Sequence, residues 1–181
     1  MSLGQGYWKK VFLICLGIFA GTAFCMKWME NDLVSNGEKF TIIGLEITYS
    51  KEKLLSVILG LDDKVKTILR YHLSFDFAFM IGAYGSIASL SMVAASHYNR
   101  KKTIRNLLVS LAIMQAVAWL CDIIENVSLL RWVKTGSIGN EFNFYHPVVY
   151  TKWILALMGV LISIFFLIFK KRNPVEAKTE F

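Results

Sequence analysis

Four long runs of apolar residues alternate with charged segments along the chain. A helix needs about 20 consecutive apolar residues to cross the hydrocarbon core of a bilayer. The runs that reach this length predict transmembrane helices at residues 7–28, 73–96, 104–130 and 148–169. Tryptophan and tyrosine residues lie near several of their ends, as is typical of membrane–water interfaces. The pattern predicts an all-α polytopic membrane protein, an antiparallel four-transmembrane-helix bundle that forms a single membrane domain over residues 1–181.

The segment between the first two runs has two patterns of its own. Residues 40–50 read FTIIGLEITYS, and their β-branched residues and glycine favour an extended piece or a short hairpin. Over residues 50–70, apolar residues recur at helical spacing with charged residues between them. This spacing predicts an amphipathic helix, capped by Ser50, at the outer surface of the bundle between helices one and two.

The distribution of Lys and Arg along the chain indicates how the protein is oriented in the membrane. The net charge is +7, and the stretches 1–10, 97–105 and 170–181 hold ten Lys and Arg in 31 residues. The segments 27–72 and 131–147 hold nine in 63 residues. Four spans place the three dense stretches on one side, which the positive-inside rule makes cytoplasmic. We therefore expect both termini, with a basic tail at 170–181, in the cytoplasm, and no nucleic acid as a partner.

The first run also allows a second interpretation. Lys9 and Lys10, followed by about fifteen apolar residues, resemble a secretory signal peptide. Cleavage near residues 21–23 would leave three helices and an external N-terminus. Trp28, which follows a full-length span, favours a retained anchor instead. Whether the first helix is kept or cleaved stays open at this point.

Ionisable residues inside the predicted spans are the most informative, because a charge at the centre of a bilayer costs about 2.5–3.5 kcal/mol on insertion scales. Four occur: Asp76, Asp122, Glu125 and Lys152. The predicted topology places all four in the outer half of the bundle, about 5–12 Å deep at the helical rise. Three separate helices therefore bring ionisable groups to nearly one level.

Other polar residues share helix faces with these four. Asp122, Glu125 and Asn126 occupy positions i, i+3 and i+4, so they lie on one face of the third helix. Tyr84, deeper on the second helix, is a candidate donor to a carboxylate. Three weaker candidates lie on the same two helices: His72, Gln115 and Trp119.

Three acids and one lysine leave an excess of negative charge, which a shared proton or a bound cation would relieve. In a structural clamp, an acid would pair with Lys152 in a packed core and Asn126 would bond across helices. In a functional site, the carboxylates would converge on an open cavity. The sequence contains neither HExxH nor GxSxG, and we predict no metal and no cofactor.

Four short motifs carry a resemblance to known proteins. They are GLEI at 44–47, SFDFAFMIGAY at 74–84, CDIIEN at 121–126 and KW at 152–153. Through them, residues 40–169 resemble a family of small bacterial four-helix integral membrane proteins for which no activity is established. Leu45 stands where that family has an aromatic residue. The resemblance implies a bacterial inner-membrane location and adds Glu46 to the candidate site.

These observations predict an outer-facing acidic site within the bundle that binds or passes a cation, a proton or a lipid headgroup. Two alternatives stay open. One is an intramembrane enzyme that modifies a lipid or an isoprenoid by carboxylate acid–base chemistry. The other is a structural subunit of a membrane complex. The expected partners are the lipid bilayer and a lipid or small cationic ligand, and a homo-oligomer is left open. The sequence does not decide whether the protein is an enzyme.

Overall fold

The computed structural model describes residues 3–169, so the predicted basic tail at 170–181 lies outside the described residues. The described chain is almost entirely helical. In chain order its elements are α1 (Leu3–Met29), a 3-10 helix (Glu30–Asp32), β1 (Val34–Ser35), β2 (Glu38–Lys39), α2 (Ile42–Glu46), α3 (Lys51–Leu59), α4 (Asp63–Ser96), α5 (Lys102–Thr135) and α6 (Phe142–Ile168).

The four long helices are α1, α4, α5 and α6, and each is long and apolar enough to cross a membrane. They pack as a bundle in which α1 lies along α4, α4 along α5, and α5 along α6. Large apolar side chains such as Leu13, Ile113 and Leu161 are exposed on the outside of the bundle, as a lipid-facing surface requires. The predicted all-α fold with four membrane-length helices is confirmed.

Two glycines set the close approach of α1 to α4. A Cβ atom on Gly82 would lie 2.5 Å from the backbone nitrogen of Phe19, and one on Gly85 would lie 2.8 Å from Cys15 Sγ. Small residues at helix interfaces allow such approach in a bilayer, where helix association depends on van der Waals packing. The absence of side chains at these two positions therefore lets α1 dock against α4.

The predicted amphipathic helix over residues 50–70 is wrong in its extent. It is two helices, because α3 ends at Leu59 and α4 begins at Asp63. Asp62 starts the new helix, since its Oδ1 accepts a hydrogen bond from the Val65 amide at 2.7 Å. The periodicity continues across the break because apolar residues on both sides face one core. These residues are Leu54, Ile58, Leu61, Val65 and Leu69.

The long helices also extend beyond the boundaries expected from the sequence. The second span begins ten residues earlier than residue 73, at Asp63, and α5 continues past residue 130 to Thr135. Gly136 ends α5 with a positive φ of 65° and donates its amide hydrogen to the Trp132 carbonyl. The last span begins at Phe142, before residue 148, and includes Pro147. The fixed φ of proline is compatible with a helix, and its missing N–H costs the helix one hydrogen bond.

Residues 33–62 form a compact segment over one end of the bundle, which we call the cap. Its hairpin joins β1 to β2 through Asn36 and Gly37, both with positive φ. The extended piece predicted within residues 40–50 is wrong, because α2 occupies this stretch. Thr41 caps α2 by accepting a hydrogen bond from the Gly44 amide at 3.0 Å.

The cap packs against the ends of α4, α5 and α6, and together they form the largest group of buried apolar side chains in the described chain. Leu33, Leu54 and Ile58 of the cap are buried there beside Trp132 of α5 and Val149 of α6. We call this end of the bundle the cap end. The cap therefore covers whatever the long helices place beneath it.

Candidate functional site

Lys152 of α6 lies at the centre of a buried group of carboxylates at the cap end. Its Nζ is 2.6 Å from Glu125 Oε2, 2.8 Å from Asp122 Oδ1 and 3.3 Å from Glu46 Oε2. We call these four residues the Lys152 cluster. Each side chain exposes 10 % or less of its surface. One ammonium group therefore joins two carboxylates of α5 to one carboxylate of the cap.

Local helix geometry explains how these side chains meet. Asp122 and Glu125 are three residues apart on α5, so one face of that helix presents both carboxylates to α6. Glu46 is the last residue of α2, and it is buried together with Ile42 and Leu45 at positions i, i+3 and i+4. Because the two apolar side chains are buried, the face of α2 that carries the Glu46 carboxylate lies against the bundle.

The hydrogen bonds distinguish the three acids. Lys152 donates to Asp122 Oδ1 at 2.8 Å and to Glu46 Oε2 at 3.3 Å. Tyr84 of α4 donates to the other Asp122 oxygen, Oδ2, at 2.8 Å. The contact between Lys152 and Glu125 is an ion pair without hydrogen-bond geometry, and Glu125 Oε2 is buried with no hydrogen-bond partner among the described residues. Asp122 thus has a donor on each oxygen, and Glu125 does not.

The charges of the cluster do not balance. When all groups are ionised, three carboxylates around one ammonium leave two excess negative charges. Burial raises the pKa of Glu46, the Lys152 ammonium opposes this, and the Asp122 charge adds to it. Glu46 and Glu125 contact the same ammonium and repel each other electrostatically when both are ionised. A proton shared by two such carboxyl groups would relieve this repulsion.

Asp76 of α4 lies beside the Lys152 cluster without joining it. Its side chain is half-buried, and within residues 5–169 it has no hydrogen bond or ion pair. It does interact electrostatically with Asp122, Lys152 and Glu46. When ionised, its carboxylate would add to the local excess of negative charge.

Asn126 has a different role from its neighbours on α5. Its Nδ2 donates to the backbone carbonyl of Leu73 at 2.8 Å, and the bond is buried. This contact joins α5 to α4 next to the cluster and makes no contact with Lys152. Asn126 thus forms the bond between helices that a structural clamp predicts.

The three weaker candidates do not meet the cluster. His72 is buried with Nδ1 unpaired among the described residues, and its electrostatic neighbour is Glu30. Gln115 donates to the Leu155 carbonyl at 3.1 Å, two helical turns from Asp122. The side chain of Trp119 lies on the exposed side of α5. The structure thus separates these residues from the seven principal candidates.

Sequence reasoning missed the residues of α6 that surround the cluster. Tyr145 is buried, its hydroxyl is unpaired among the described residues, and it interacts electrostatically with Glu125. Its spacing of seven residues before Lys152 places it on the same helix face, which was the available signal. The aromatic environment of Trp132, Phe142 and His146 around its ring was not visible in the sequence.

The chain that follows Glu46 is attached to α6. The His146 Nε2 atom is 2.9 Å from the Thr48 carbonyl oxygen, and because a carbonyl only accepts, the ring nitrogen carries the hydrogen. The Tyr49 ring stacks on His146 with centroids 4.6 Å apart. The Tyr49 and Tyr150 hydroxyls are hydrogen-bonded to each other. Residues 48–49 are therefore held to α6 directly after the α2 carboxylate.

Two cavities of the described structure lie away from the Lys152 cluster. One, of about 270 Å³, lies between α3 and the end of α5, and its lining includes Lys66 and Lys134. The other, of about 200 Å³, is an apolar crevice between α1, α4 and α6. Neither is lined by a cluster residue. The carboxylates thus pair closely with Lys152 in packed surroundings, which is the arrangement expected of a clamp.

The Lys152 ammonium group lies between the three carboxylates. Within the described part of the chain, no group of three or more His, Cys, Asp or Glu side chains is arranged to hold a metal ion. The chemistry available at the site is therefore ion pairing, hydrogen bonding and proton exchange between carboxyl groups.

No family model, curated protein or solved structure matches the chain. The resemblance to small bacterial four-helix membrane proteins stays a prediction. Function must therefore be argued from the chemistry of the site.

Proposed function

We propose that this integral membrane protein binds a proton at the Lys152 cluster and exchanges it with water at one membrane surface. The observation that carries the proposal is the single Lys152 ammonium within 3.3 Å of three buried carboxylates. Carboxylates that share one ammonium in a poorly hydrated site repel one another, and this repulsion disfavours full ionisation. A bound proton lowers the cost of keeping the acids together.

The hydrogen bonds support the Glu46–Glu125 pair as the place for this proton. Asp122 already accepts a hydrogen bond at each oxygen, from Lys152 and from Tyr84. A proton on Asp122 would weaken one of these hydrogen bonds, because it removes the negative charge and occupies a lone pair of one oxygen. Glu125 accepts no such hydrogen bond at its buried Oε2, so a proton on the Glu46–Glu125 pair would leave both Asp122 hydrogen bonds in place. The pair would then titrate as a unit.

A proton fits the closed cluster better than the larger ligands that the sequence left open. A metal ion or a lipid headgroup would have to displace the ammonium from the centre of the carboxylates, or displace the cap above it. A proton needs no additional volume. We therefore place the proton ahead of other cations and of a lipid headgroup.

The orientation of the site is part of the proposal. Lys152 lies sixteen residues before Ile168, the last residue of α6, which corresponds to about 24 Å of helix. A bilayer core is about 30 Å thick, so the cluster would lie near the membrane boundary at the cap end. The described basic residues near Gln5 and at 97–105 lie at the opposite end, which supports a cytoplasmic location for that end and an outer position for the cap. A bacterial inner membrane follows from the resemblance.

A structural clamp is the second candidate, and the close packing around Lys152 favours it. In that case the cluster would hold α2, α5 and α6 together without exchanging protons. Removing one partner of a buried ion pair costs about 3–5 kcal/mol, so destabilisation by mutation would occur under both proposals. The protonation state distinguishes them.

Infrared difference spectroscopy of the protein in lipid nanodiscs tests the proposal. A protonated buried carboxyl gives a C=O stretching band that shifts in D₂O, and we expect this band at neutral pH. Glu46→Gln and Glu125→Gln should remove or shift it, whereas Glu52→Gln on the exposed face of α3 should leave it unchanged. A wild-type spectrum without a protonated carboxyl band at neutral pH would exclude proton binding and leave the clamp.

A further inference from the structure

Helix α2 contributes Glu46 and covers the Lys152 cluster, whereas Asp122, Glu125 and Lys152 belong to long helices. We infer that α2 is a lid over the cluster and that Tyr49, His146 and Tyr150 form the latch that holds it closed. The inference rests on the proposed function to the extent that the lid would control proton exchange between the cluster and water.

Glu46 is the one residue of the cluster that would move with α2. Its contact with Lys152, at 3.3 Å, is the longest of the three carboxylate contacts. Asp122 and Glu125 lie on the same helix and stay with Lys152 when α2 moves. Displacement of α2 therefore removes Glu46 and uncovers Asp122, Glu125 and Lys152, which stay paired.

Helices α2 and α3 are anchored separately from each other. The hydroxyl of Ser50 caps α3 independently of α2 by accepting from the Lys53 amide at 3.1 Å. Leu54 and Ile58 then fix α3 in the apolar core. Helix α2 is only five residues long, and the extended Thr41 before it and the chain at 47–50 after it are its two connections. Ile42 and Leu45 also bury α2 in this core, so opening of α2 alone requires these two side chains to leave it while α3 keeps its own cap and core contacts.

The latch lies at the surface of the protein. Tyr49 and Tyr150 are 68 % and 38 % exposed, so their hydroxyl–hydroxyl bond lies at the surface and competes with water. The exposed outer face of α2 also carries Ile43 and Ile47, which suit a membrane–water interface. A surface latch next to a buried carboxylate is a suitable arrangement for opening without unfolding the cap.

Cysteine accessibility tests the lid directly. Val149 is 1 % exposed, lies one helical turn before Lys152 and packs in the core shared with the cap. Val149→Cys would be placed in a background with Cys15, Cys25 and Cys121 replaced by serine. Its reaction with a water-soluble methanethiosulfonate reagent is then measured in nanodiscs, with the latch intact and with the Tyr49→Phe, Tyr150→Phe pair.

Loss of the latch bond should raise the labelling rate roughly two- to tenfold, the range given by the net strength of one hydrogen bond. Tyr98→Phe is the matched control, because its hydroxyl bonds to the Phe166 carbonyl at 2.8 Å at the opposite end of the bundle. An unchanged rate in the latch variants would overturn the inference. So would an equal increase in Tyr98→Phe, because it would indicate general loosening.

Hydrogen–deuterium exchange supplies a second measurement that needs no cysteine. Tyr49→Phe alone should raise exchange in residues 42–48 and leave residues 51–59 unchanged. Equal increases in both segments would show that the cap moves as a whole, which contradicts a lid made of α2. Neither measurement depends on a carboxyl proton. Failure of the infrared test would therefore exclude proton binding, and failure of these two tests would exclude the lid.

Discussion

The Lys152 ammonium lies 2.6 Å from Glu125 Oε2, closer than to either of its other carboxylate partners. This contact joins α6 to α5 at the cap end, and both side chains are almost inaccessible to water. Because the ammonium also contacts Asp122 and Glu46, it is the shared counter-ion of three acids. The consequences of removing it are therefore the most direct test of the cluster.

Lys152→Met should destabilise the protein strongly. The substitution keeps a long apolar stem and removes the charge, which leaves three buried acids without their common partner. We expect a loss of about 3–5 kcal/mol, the usual cost of removing one partner of a buried ion pair, measured by denaturant unfolding in mild detergent. Lys134→Met, on the exposed surface of α5, should change stability by less than about 0.5 kcal/mol. Equal effects of the two substitutions would contradict a central role for Lys152.

A small primary amine should partly replace the missing side chain in Lys152→Ala. Propylammonium supplies the three carbon atoms and the ammonium that alanine lacks, and three acid groups around that position offer acceptors for it. Binding to the folded state alone raises the melting temperature as the amine concentration increases. Tetramethylammonium, which has no N–H donor, is the matched control. Equal stabilisation by both cations, or by neither, would show that the carboxylates do not select an ammonium group.

The long helices were predictable because a bilayer-length apolar run leaves few alternatives to a helix. The candidate residues Asp122, Glu125 and Lys152 were predictable for a related reason. Charges inside such runs are costly, so they are expected to face one another within the bundle. Both predictions depend on local properties of the sequence, which need no knowledge of the tertiary contacts.

The cap was harder to predict because tertiary contacts determine it. The β-branched residues at 40–43 favour a strand, yet Thr41 caps a helix and Ile42 and Leu45 are buried at helical spacing. The placement of Glu46 beside Lys152 joins residues 106 positions apart. Spacing along the chain cannot give such a contact, and only the resemblance had suggested Glu46.

Tyr84 and Asp122 should be energetically coupled. The Tyr84 hydroxyl donates to Asp122 Oδ2 at 2.8 Å in a buried position. Polar bonds between membrane helices average about 0.6 kcal/mol and reach about 1.7 kcal/mol in double-mutant cycles. We expect a coupling energy in this range from unfolding of Tyr84→Phe, Asp122→Asn and the double variant. Tyr71→Phe, at an exposed position of α4, should show no coupling to Asp122→Asn, and a coupling as large as that of Tyr84 would contradict the assignment.

The pH dependence of stability should reveal the buried Glu46 carboxyl. Burial raises its folded-state pKa above the ordinary value of 4.5, so the folded protein holds this proton at a pH at which the unfolded chain has released it. The favourable contribution of the proton is therefore fully present below the unfolded pKa and is lost as pH rises through the folded pKa. Glu46→Gln keeps the shape and cannot titrate, so its free energy of unfolding should decline less than that of the wild type as pH increases over this interval.

Glu52→Gln is the control of opposite sign, because hydrogen bonds in the first turn of α3 lower the pKa of Glu52. Denaturant unfolding at a series of pH values measures both slopes, and a Glu46→Gln slope equal to the wild-type slope would mean that Glu46 does not carry the proton.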